Sequence, residues 1–486
     1  MTISHVAGID CSTQATKVVV VEVATGRIAA EGRGPHEVHF GEGNVAETDP
    51  EVWWNALADA VHQTGFGERI DALAIGGQQH GLVVTDDRGN PLRPAMLWCD
   101  LRASKEADEF VDALGGPQAA ADLAGSLPIA SFTAPKWAWL RANEPTIASQ
   151  TRGVRLPHDW LTERLTGRAV TDRGDASGTA WWSPAEGRYL PEVLDLPGIE
   201  LDASLLPEVV EPAEVAGMVT PEAAAFLGLR PGIPVGPGTG DNAAAALGLG
   251  LQPGTPVLSL GTSGTAYLRA TTPSADPSGA IAGFADATGA YLPLICTQNC
   301  TLAVDAVTQL LGLGRDDVAP DTGVVMLPYL EGERTPYLPH ATGSIVGMRP
   351  GTRPEEVLLA AYRGATAALL AGLEQLPDVG EDAPIILIGG GARGTTWQRV
   401  VGELSGRPLI VPEHTELVAL GAAVQAAGVS TGEDFATITA RWKTDAGQQL
   451  PARELQRDVV DRIRHVDAAL RDLNSTPLPG SNRQGT

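Results

Sequence analysis

The same short pattern occurs twice in this chain, about half a chain apart. Residues 5–10 are largely apolar, residues 11–16 are rich in hydroxyl groups, and residues 17–23 are rich in valine. Residues 256–269 repeat this order, with a turn of Gly, Thr and Ser between two apolar runs. β-Branched residues on both sides of a polar turn predict a hairpin. Because internal repeats indicate repeated architecture, the 486 residues are predicted to form two related α/β domains that present similar hairpins to one ligand.

Two further segments place glycines between a strand and a helix. A Gly- and Pro-rich loop at 236–240 leads into an Ala-rich helix that begins near Asp241, and the apolar run 385–388 breaks into three glycines at 389–391. Glycines let the backbone approach a ligand closely, and the N-terminus of the next helix attracts anions. These junctions and the two hydroxyl-rich tips favour a nucleoside triphosphate. A plain tight turn is the alternative at each place, since no Walker A or G-x-G-x-x-G motif is present.

Two aspartates stand next to these segments. Asp10 ends the first predicted strand, and Asp241 starts the Ala-rich helix. Phosphoryl transfer needs one acidic group near Mg²⁺ and one that accepts the proton of the attacking hydroxyl, and this placement permits both roles. The alternatives are a turn-initiating Asp10 and a helix N-cap at Asp241. His80, in the polar loop 78–81, is either a ligand-binding or a structural side chain.

Charge and composition restrict the class of partner. The formal net charge is −25, which argues against binding to nucleic acid or to an anionic membrane but not against a locally built ATP site. The first ten residues lack the basic start and apolar core of a signal peptide, and no apolar run is expected to reach the roughly 20 residues that span a bilayer. A cytoplasmic protein is therefore expected.

Nine segments, in order, resemble the motifs of the FGGY family of carbohydrate kinases. They are residues 9–13 with Lys17, 77–81, 93–100 with Arg102, 132–136, 172–179, 240–244, 259–264, 327–336 and 389–393. Each motif is weak alone, but nine in one order, from Gly8 to about Ala427, are specific. Ser12 and Gln14 depart from the Gly and the hydroxyl residue that are usual in the family, which leaves the geometry of the first tip open.

The resemblance implies a fold of two actin-like, ribonuclease H-like α/β domains with a cleft between them. The expected boundaries are a sugar-binding domain at 1–243, a nucleotide-binding domain at 244–473 and a disordered tail at 474–486. It also implies ATP-dependent phosphorylation of D-xylulose to D-xylulose 5-phosphate, with Mg²⁺. Residues 77–81 resemble the sugar loop of the members that act on D-xylulose, whereas glycerol kinases carry an Arg-Glu pair in place of Gln79 and His80.

The resemblance also implies a role for each matching residue. Asp241 resembles the general base, and Asp10 resembles the carboxylate that holds Mg²⁺ through water. The positions expected to bind the sugar are Gln79, His80, Trp98, Asp100, Arg102, Asp241 and Asn242. The positions expected to bind ATP are Thr13, Lys17, Gly261, Thr262, Gly390, Gly391 and Arg393.

Two rival functions stay open at this point. One is a kinase of the same family for another acceptor, such as D-ribulose, L-ribulose or a pentitol. The other is a non-enzymatic, actin-like ATP-binding or assembly protein, which has no need of the loop at Gln79 and His80 or of Asp241 followed by Asn242. A homodimer is also left open.

Overall fold

The computed structural model describes residues 3–330 and 332–475. In chain order the strands are β1 (His5–Cys11), β2 (Ala15–Glu22), β3 (Ile28–Pro35), β4 (His39–Gly41), β5 (Val45–Thr48), β6 (Ala72–Gly77), β7 (Val83–Thr85), β8 (Ala95–Met96), β9 (Gly153–Arg155), β10 (Val170–Asp172), β11 (Trp182–Ser183), β12 (Arg188–Tyr189), β13 (Glu208–Val210), β14 (Gly217–Met218), β15 (Pro234–Val235), β16 (Thr239–Gly240), β17 (Val257–Leu260), β18 (Gly264–Tyr267), β19 (Ala282–Ala285), β20 (Tyr291–Thr297), β21 (Val325–Leu327), β22 (Ser344–Val346), β23 (Ile385–Ile388), β24 (Leu409–Pro412) and β25 (Gly447–Leu450).

The α-helices are α1 (Pro50–Thr64), α2 (Ser104–Ala113), α3 (Pro117–Ala124), α4 (Thr133–Asn143), α5 (Pro145–Gln150), α6 (Pro157–Thr166), α7 (Arg173–Ala176), α8 (Pro191–Leu194), α9 (Pro221–Leu227), α10 (Asp241–Gly248), α11 (Thr301–Leu311), α12 (Pro354–Leu373), α13 (Thr395–Ser405), α14 (Leu417–Thr431), α15 (Phe435–Trp442) and α16 (Arg457–Ser475). The last helix includes Asn474 and Ser475, the first two residues of the tail expected to be disordered. The rest of that tail, 476–486, lies outside the described residues.

Two seven-stranded sheets share one strand arrangement. In the first, β1 pairs antiparallel with β2 and parallel with β6, β2 pairs antiparallel with β3, and β6 pairs parallel with β15. In the second, β17 pairs antiparallel with β18 and parallel with β23, β18 pairs antiparallel with β20, and β23 pairs parallel with β24. The repeated hairpins of the sequence are thus the first two strands of two equivalent sheets, as expected for a pair of ribonuclease H-like domains.

Two helices cross between the sheets with their backbones in contact. α14 packs on β1, β6 and α10. A Cβ atom on Gly8 would lie 1.8 Å from the Ala419 carbonyl oxygen, and one on Gly421 would lie 1.8 Å from the Ala244 carbonyl oxygen, so both positions require glycine. α14 comes late in the chain, yet it covers one face of the first sheet. The core of that sheet therefore includes residues from beyond the boundary expected at 243/244.

One helix corrects an expectation from the sequence. α12 is long and apolar enough to cross a membrane, although no such run was expected. Most of its residues are buried, and it packs against α11, α13 and β21. A helix that is apolar on most of its surface is typical of a protein core as well as of a membrane, and here protein surrounds it.

Candidate active site

The two aspartates singled out in the sequence lie at the ends of two strands, β1 and β16, that flank β6 in the first sheet. Asp10 on β1 lies opposite Gly76 of β6, and Gly240 of β16 lies opposite Gly77 on the other side of β6. Since strands lie about 4.8 Å apart, β1 and β16 are about 10 Å apart across β6. Asp241 directly follows Gly240, so both carboxylates reach the same edge of the sheet, at the carboxyl ends of parallel strands.

Both carboxyl groups have raised pKa values, and burial is the main cause for each. Burial raises the pKa of Asp10 to about 6, with Lys17 opposing and Glu416 adding to the shift. Burial, and then the negative charge of Asp10, raise the pKa of Asp241 to about 7. Asp241 thus has the pKa that suits a general base near neutral pH.

Asp241 is oriented by its neighbours and is not the helix cap. Gly240 occupies the N-cap position of α10. Oδ1 of Asp241 accepts hydrogen bonds from the backbone N–H of Asn242 at 2.7 Å and from Asn242 Nδ2 at 2.8 Å. Asn242 Nδ2 also donates to Oε1 of Gln79 at 3.0 Å. Within the described residues no hydrogen bond reaches Oδ2 of Asp241, which leaves this oxygen available to accept a proton.

The surroundings of Asp10 fit a hydrated magnesium ion. Its Oδ1 is buried and has no hydrogen-bond partner among the described residues, and its Oδ2 lies 3.6 Å from Lys17 Nζ. Lys17 in turn pairs with Glu416 at 2.7 Å. No cluster of three or more His, Cys, Asp or Glu side chains that suits a metal occurs in the described part of the chain. An ion here needs water for most of its ligands, which Mg²⁺ prefers.

His80 is held rigidly at the end of its loop. Its φ of 63° places it in the left-handed region, directly after the turn that follows β6. The ring stacks on Phe132 at 5.0 Å and lies 5.3 Å from Phe284, which belongs to the second sheet. The His80 carbonyl oxygen accepts hydrogen bonds from Thr133 Oγ1 and Lys136 Nζ, both at 3.3 Å. Burial, followed by nearby cations, lowers the pKa of His80 to about 3, so the ring is neutral.

The other expected sugar-binding residues have different environments. Trp98 is 41% exposed, and its indole N–H donates to Thr13 Oγ1 at 3.2 Å. Asp100 is fully buried, and its carboxylate accepts hydrogen bonds from the Ala46 backbone N–H at 3.0 Å and from Arg102 Nε at 3.0 Å. Arg102 also pairs with Glu47. Asp100 and Arg102 therefore brace the loop after β8 against β5, and the structure does not bring the Asp100 carboxylate to the surface.

The expected ATP-binding positions form two groups. The carbonyl oxygens of Gly261 and Thr262 accept hydrogen bonds from backbone N–H groups at the start of α11, at 2.9 and 3.1 Å. The Gly391 N–H donates to the Leu260 carbonyl oxygen at 2.8 Å, so the glycine turn lies against the second hairpin. Gly390 is exposed, and the space around its Cα is open within 4 Å. The exposed backbone of Gly390 is therefore accessible to a ligand beside the tip of the second hairpin.

Of the remaining positions, Arg393 follows the glycine turn, whereas Thr13 and Lys17 belong to the first hairpin. Arg393 is exposed and donates to the Glu413 carbonyl oxygen at 3.0 Å. In the first hairpin, the Ser12 N–H and Oγ both donate to the Ala15 carbonyl oxygen, at 3.0 and 2.7 Å. The hydroxyl of Ser12 therefore closes this tip, where the family usually has glycine.

Two buried or partly buried contacts were not expected from the sequence. Glu416, at the start of α14, holds Lys17 beside Asp10. Gln425, also on α14, is buried and pairs with both the N–H and the carbonyl oxygen of Gly238, at 2.8 and 3.1 Å. Gly238 lies three residues before Asp241, so this bond anchors the loop that leads to the proposed base. No local motif marks either residue.

Comparison with known proteins decides the family. The model of the FGGY carbohydrate kinase N-terminal domain matches residues 5–248, and that of the C-terminal domain matches residues 257–429. The chain belongs to the FGGY family of carbohydrate kinases. The predicted family and the two-domain α/β fold are confirmed, and the hypothesis of a non-enzymatic assembly protein loses its support.

Individual FGGY kinases match over nearly the whole chain. A xylulose kinase of Streptomyces coelicolor is 54% identical over 469 residues, which cover 96% of each chain. The crystal structure of a xylulose kinase from Bifidobacterium adolescentis has a TM-score of 0.81 at 34% identity, covering 95% of this chain and 99% of that one. A structure from Brucella ovis, described as a xyloylose kinase, has a TM-score of 0.88 at 28% identity, covering 96% and 100%.

The pKa of Asp241 predicts a pH dependence for catalysis. A base with a pKa of about 7 is protonated below that pH and cannot accept a second proton. We expect kcat to fall as the pH decreases through about 7 and to reach a plateau above it, measured with saturating sugar and with Mg²⁺ in excess over ATP. A flat profile between about pH 5.5 and about pH 8 would contradict the assignment of Asp241 as the base.

Proposed function

We propose that this FGGY kinase transfers the γ-phosphoryl group of ATP to the 5-hydroxyl of D-xylulose, giving ADP and D-xylulose 5-phosphate. The observation that carries the proposal is the 54% identity to a xylulose kinase over 96% of both chains. The loop with Gln79 and His80 lies next to the proposed base, through the bond between Gln79 and Asn242. This contact supports a sugar bound between the loop and α10.

Asp241 is the proposed general base. Oδ1 is held by Asn242, while Oδ2 has no hydrogen-bond donor among the described residues and accepts the proton of the 5-hydroxyl as the phosphoryl group transfers. Deprotonation makes the sugar oxygen a better nucleophile as the bond to the departing ADP lengthens. Such assistance contributes about 10²–10⁴ in rate, and positioning supplies much of the rest.

Asp10 and Lys17 serve the phosphates in this proposal. Asp10 would hold Mg²⁺ through water, since its Oδ1 has no hydrogen-bond partner among the described residues. When bound, Mg²⁺ neutralises negative charge on the β- and γ-phosphates. Lys17 is shared between Asp10 and Glu416 and supplies a cation at the same place.

The sugar site combines one neutral imidazole with aromatic and amide groups. His80 packs against both Phe132 and Phe284, which also contact each other, so its ring presents a donor or acceptor in a set direction. Trp98 offers an exposed indole face beside Thr13, which suits the apolar face of a sugar. Gln79 acts mainly through Asn242, and Asp100 and Arg102 act by bracing their loop.

The nucleotide binds along the second hairpin and the glycine turn. We assign the phosphates to the tip at Gly261 and Thr262 together with Thr13 of the first hairpin. The adenosine lies over the open backbone of Gly390, beside the buried Gly391, with Arg393 at its edge. Bare backbone N–H groups and the N-terminus of the following helix suit an anionic ligand.

The proposal also covers the partners, the cellular location and the domain boundary of the enzyme. A net charge of −25 favours small-molecule substrates over nucleic acid or anionic membrane, and we place the enzyme in the cytoplasm, with a homodimer as a further option. We keep the domain boundary at 243/244, with the sugar mainly on the first domain and ATP mainly on the second.

A panel of acceptors tests the substrate. In an ADP-release assay with D-xylulose, D-ribulose, L-ribulose, a pentitol and glycerol, D-xylulose should give the highest kcat/KM. A site built from polar groups rejects an analogue with a missing or inverted hydroxyl, because the buried partners stay unpaired. A reaction without sugar measures the ATP hydrolysis that is not coupled to sugar phosphorylation. If kcat/KM for D-ribulose or glycerol exceeds that for D-xylulose by about tenfold or more, D-xylulose is not the substrate, but the assignment as a sugar kinase stands.

A further inference from the structure

Four ionisable side chains that the mechanism does not use are buried together beside the sugar loop. His158, Asp159, Asp172 and Asp175 are each at most 1% exposed. His158 Nε2 lies 3.4 Å from Asp172 Oδ1 and 3.3 Å from Asp175 Oδ2, and its Nδ1 lies 3.5 Å from Asp159 Oδ1. Burying a charge costs free energy of folding unless the charge is paired. A buried imidazole between three carboxylates is therefore expected to serve a specific purpose.

Asp172 connects this cluster to the strand that precedes the base. Its Oδ2 accepts a hydrogen bond from Thr239 Oγ1 at 2.6 Å. Thr239 begins β16, two residues before Asp241. Asp172 is also the N-cap of α7, where it accepts the backbone N–H groups of Gly174 and Asp175. The Asp172 carboxylate therefore holds the Thr239 side chain of β16, in addition to the backbone pairing of β16 with β6.

Asp175 connects the same cluster to the sugar loop. Its Oδ1 accepts a hydrogen bond from the backbone N–H of His80 at 3.4 Å, while its Oδ2 faces His158 and has no other partner in the described part of the chain. His158 Nε2 thus lies between one carboxylate that holds the base strand and another that holds the sugar loop. α6, which carries His158, packs against β6, the strand that leads into that loop.

The charges of the cluster agree with this arrangement. The carboxylates of Asp159, Asp172 and Asp175 raise the pKa of His158 well above its usual range, against the opposing effect of burial. Burial raises the pKa of Asp159 to about 7 and also raises that of Asp175. The charge of Asp175 contributes in turn to the raised pKa of Asp241, so the cluster and the base are electrostatically coupled.

We infer that His158 is a positioning residue, whose ring joins Asp172 to Asp175 and thereby sets the distance between the base Asp241 and the sugar loop at His80. The inference rests on the proposed function, because it assumes that Asp241 and His80 act on one sugar. Displacing a catalytic group by about 1 Å costs on the order of 10²-fold in rate, so a rigid buried junction at this place has a large kinetic consequence.

Three variants separate positioning from folding, each measured with the acceptor that the panel shows to be best. His158→Gln should lower kcat/KM by about 10²-fold, with both kcat and sugar KM affected. Thr239→Val should lower kcat about tenfold with little change in sugar KM, and Asp175→Asn should raise sugar KM about tenfold with a smaller change in kcat. The affinity for MgATP should stay near wild type in all three.

A core variant in the second sheet's core, away from the His158 cluster, provides the matched control. Val400 on α13 is fully buried in the core of the second sheet, so Val400→Ala lowers thermal stability without touching the cluster. If His158→Gln loses no more kcat/KM than Val400→Ala at an equal loss of Tm, the positioning role is overturned. If His158→Gln does not fold, the other two variants decide, and unchanged kcat and KM in both, within about threefold, overturn the inference.

A double-mutant cycle adds a test that a purely structural role does not pass. Because Thr239 and Asp175 act through one imidazole, their effects on kcat/KM should be non-additive in the wild-type background and additive once His158 is replaced. If the two effects on kcat/KM are additive in both backgrounds, His158 does not connect Asp172 to Asp175 and the inference is overturned. A lack of D-xylulose turnover with normal turnover of another sugar overturns only the proposed substrate, since the cycle is run on the accepted sugar.

Discussion

Asp241→Asn is expected to lower kcat by about 10²–10⁴-fold while the affinity for ATP stays near wild type, because an amide cannot accept the proton of the attacking hydroxyl. The amide oxygen still accepts the two hydrogen bonds that Asn242 donates, so the local geometry is retained. Steady-state kinetics and a nucleotide-binding measurement on the same preparation check both parts. A variant that keeps more than about a tenth of wild-type kcat removes Asp241 from the role of base.

The stability of the same variant gives an independent result. The pKa of Asp241 is raised in the folded protein, so ionising this carboxyl disfavours the folded state as the pH rises from about 4 to about 7. Asn carries no charge and avoids this loss. The Tm of Asp241→Asn at about pH 8 should therefore equal or exceed that of the wild type, and a lower Tm would indicate that the carboxylate has a structural role.

Asp10→Asn should lower kcat by a comparable factor, about 10²-fold or more, and raise the Mg²⁺ concentration needed for half-maximal activity. The buried Oδ1 has no hydrogen-bond partner in the part of the chain that the structure describes, and replacing the charged carboxylate by an amide removes the group that is proposed to hold the hydrated ion. A titration of activity with Mg²⁺ at fixed ATP measures the shift, and the affinity for the sugar should change little.

Asp71→Asn is the control, because it also removes one carboxylate from the first sheet but at the opposite end. Asp71 lies just before β6, at its end remote from Asp10, where it accepts the Ser4 N–H and pairs with Arg230. It should leave the Mg²⁺ dependence unchanged. An unaltered Mg²⁺ dependence in Asp10→Asn, together with a reduced kcat, would show that Asp10 acts without the ion.

Much of the site was predictable because its signals are local. Asp10 and Asp241 are marked by the segments around them, an apolar strand followed by a polar tip and a glycine loop followed by an Ala-rich helix. These features depend on propensities within a few residues, and the structure places both aspartates at one edge of the first sheet. The N-cap alternative for Asp241 was decided only by the backbone, which puts Gly240 at the cap.

Other sequence signals were ambiguous because the same residue type serves different environments. Asp100 and Arg102 match a family motif, yet the Asp100 carboxylate is buried between a backbone N–H and Arg102. The apolar residues of α12 have the composition of a membrane helix and are instead covered by protein. Only the packing around a side chain shows whether it reaches a ligand, a lipid or a core.

The repeated hairpins, the glycine junctions, the two aspartates and the kinase family can all be inferred from the order of amino acids, since each depends on contiguous residues or on the order of motifs. The contacts that hold these parts in place form only in the folded chain. Glu416 reaches Lys17, Gln425 pairs with Gly238, and His158 lies between Asp172 and Asp175. Two of these contacts join residues more than 180 positions apart, where pairing depends on the crossing of α14 over the first sheet and leaves no local pattern.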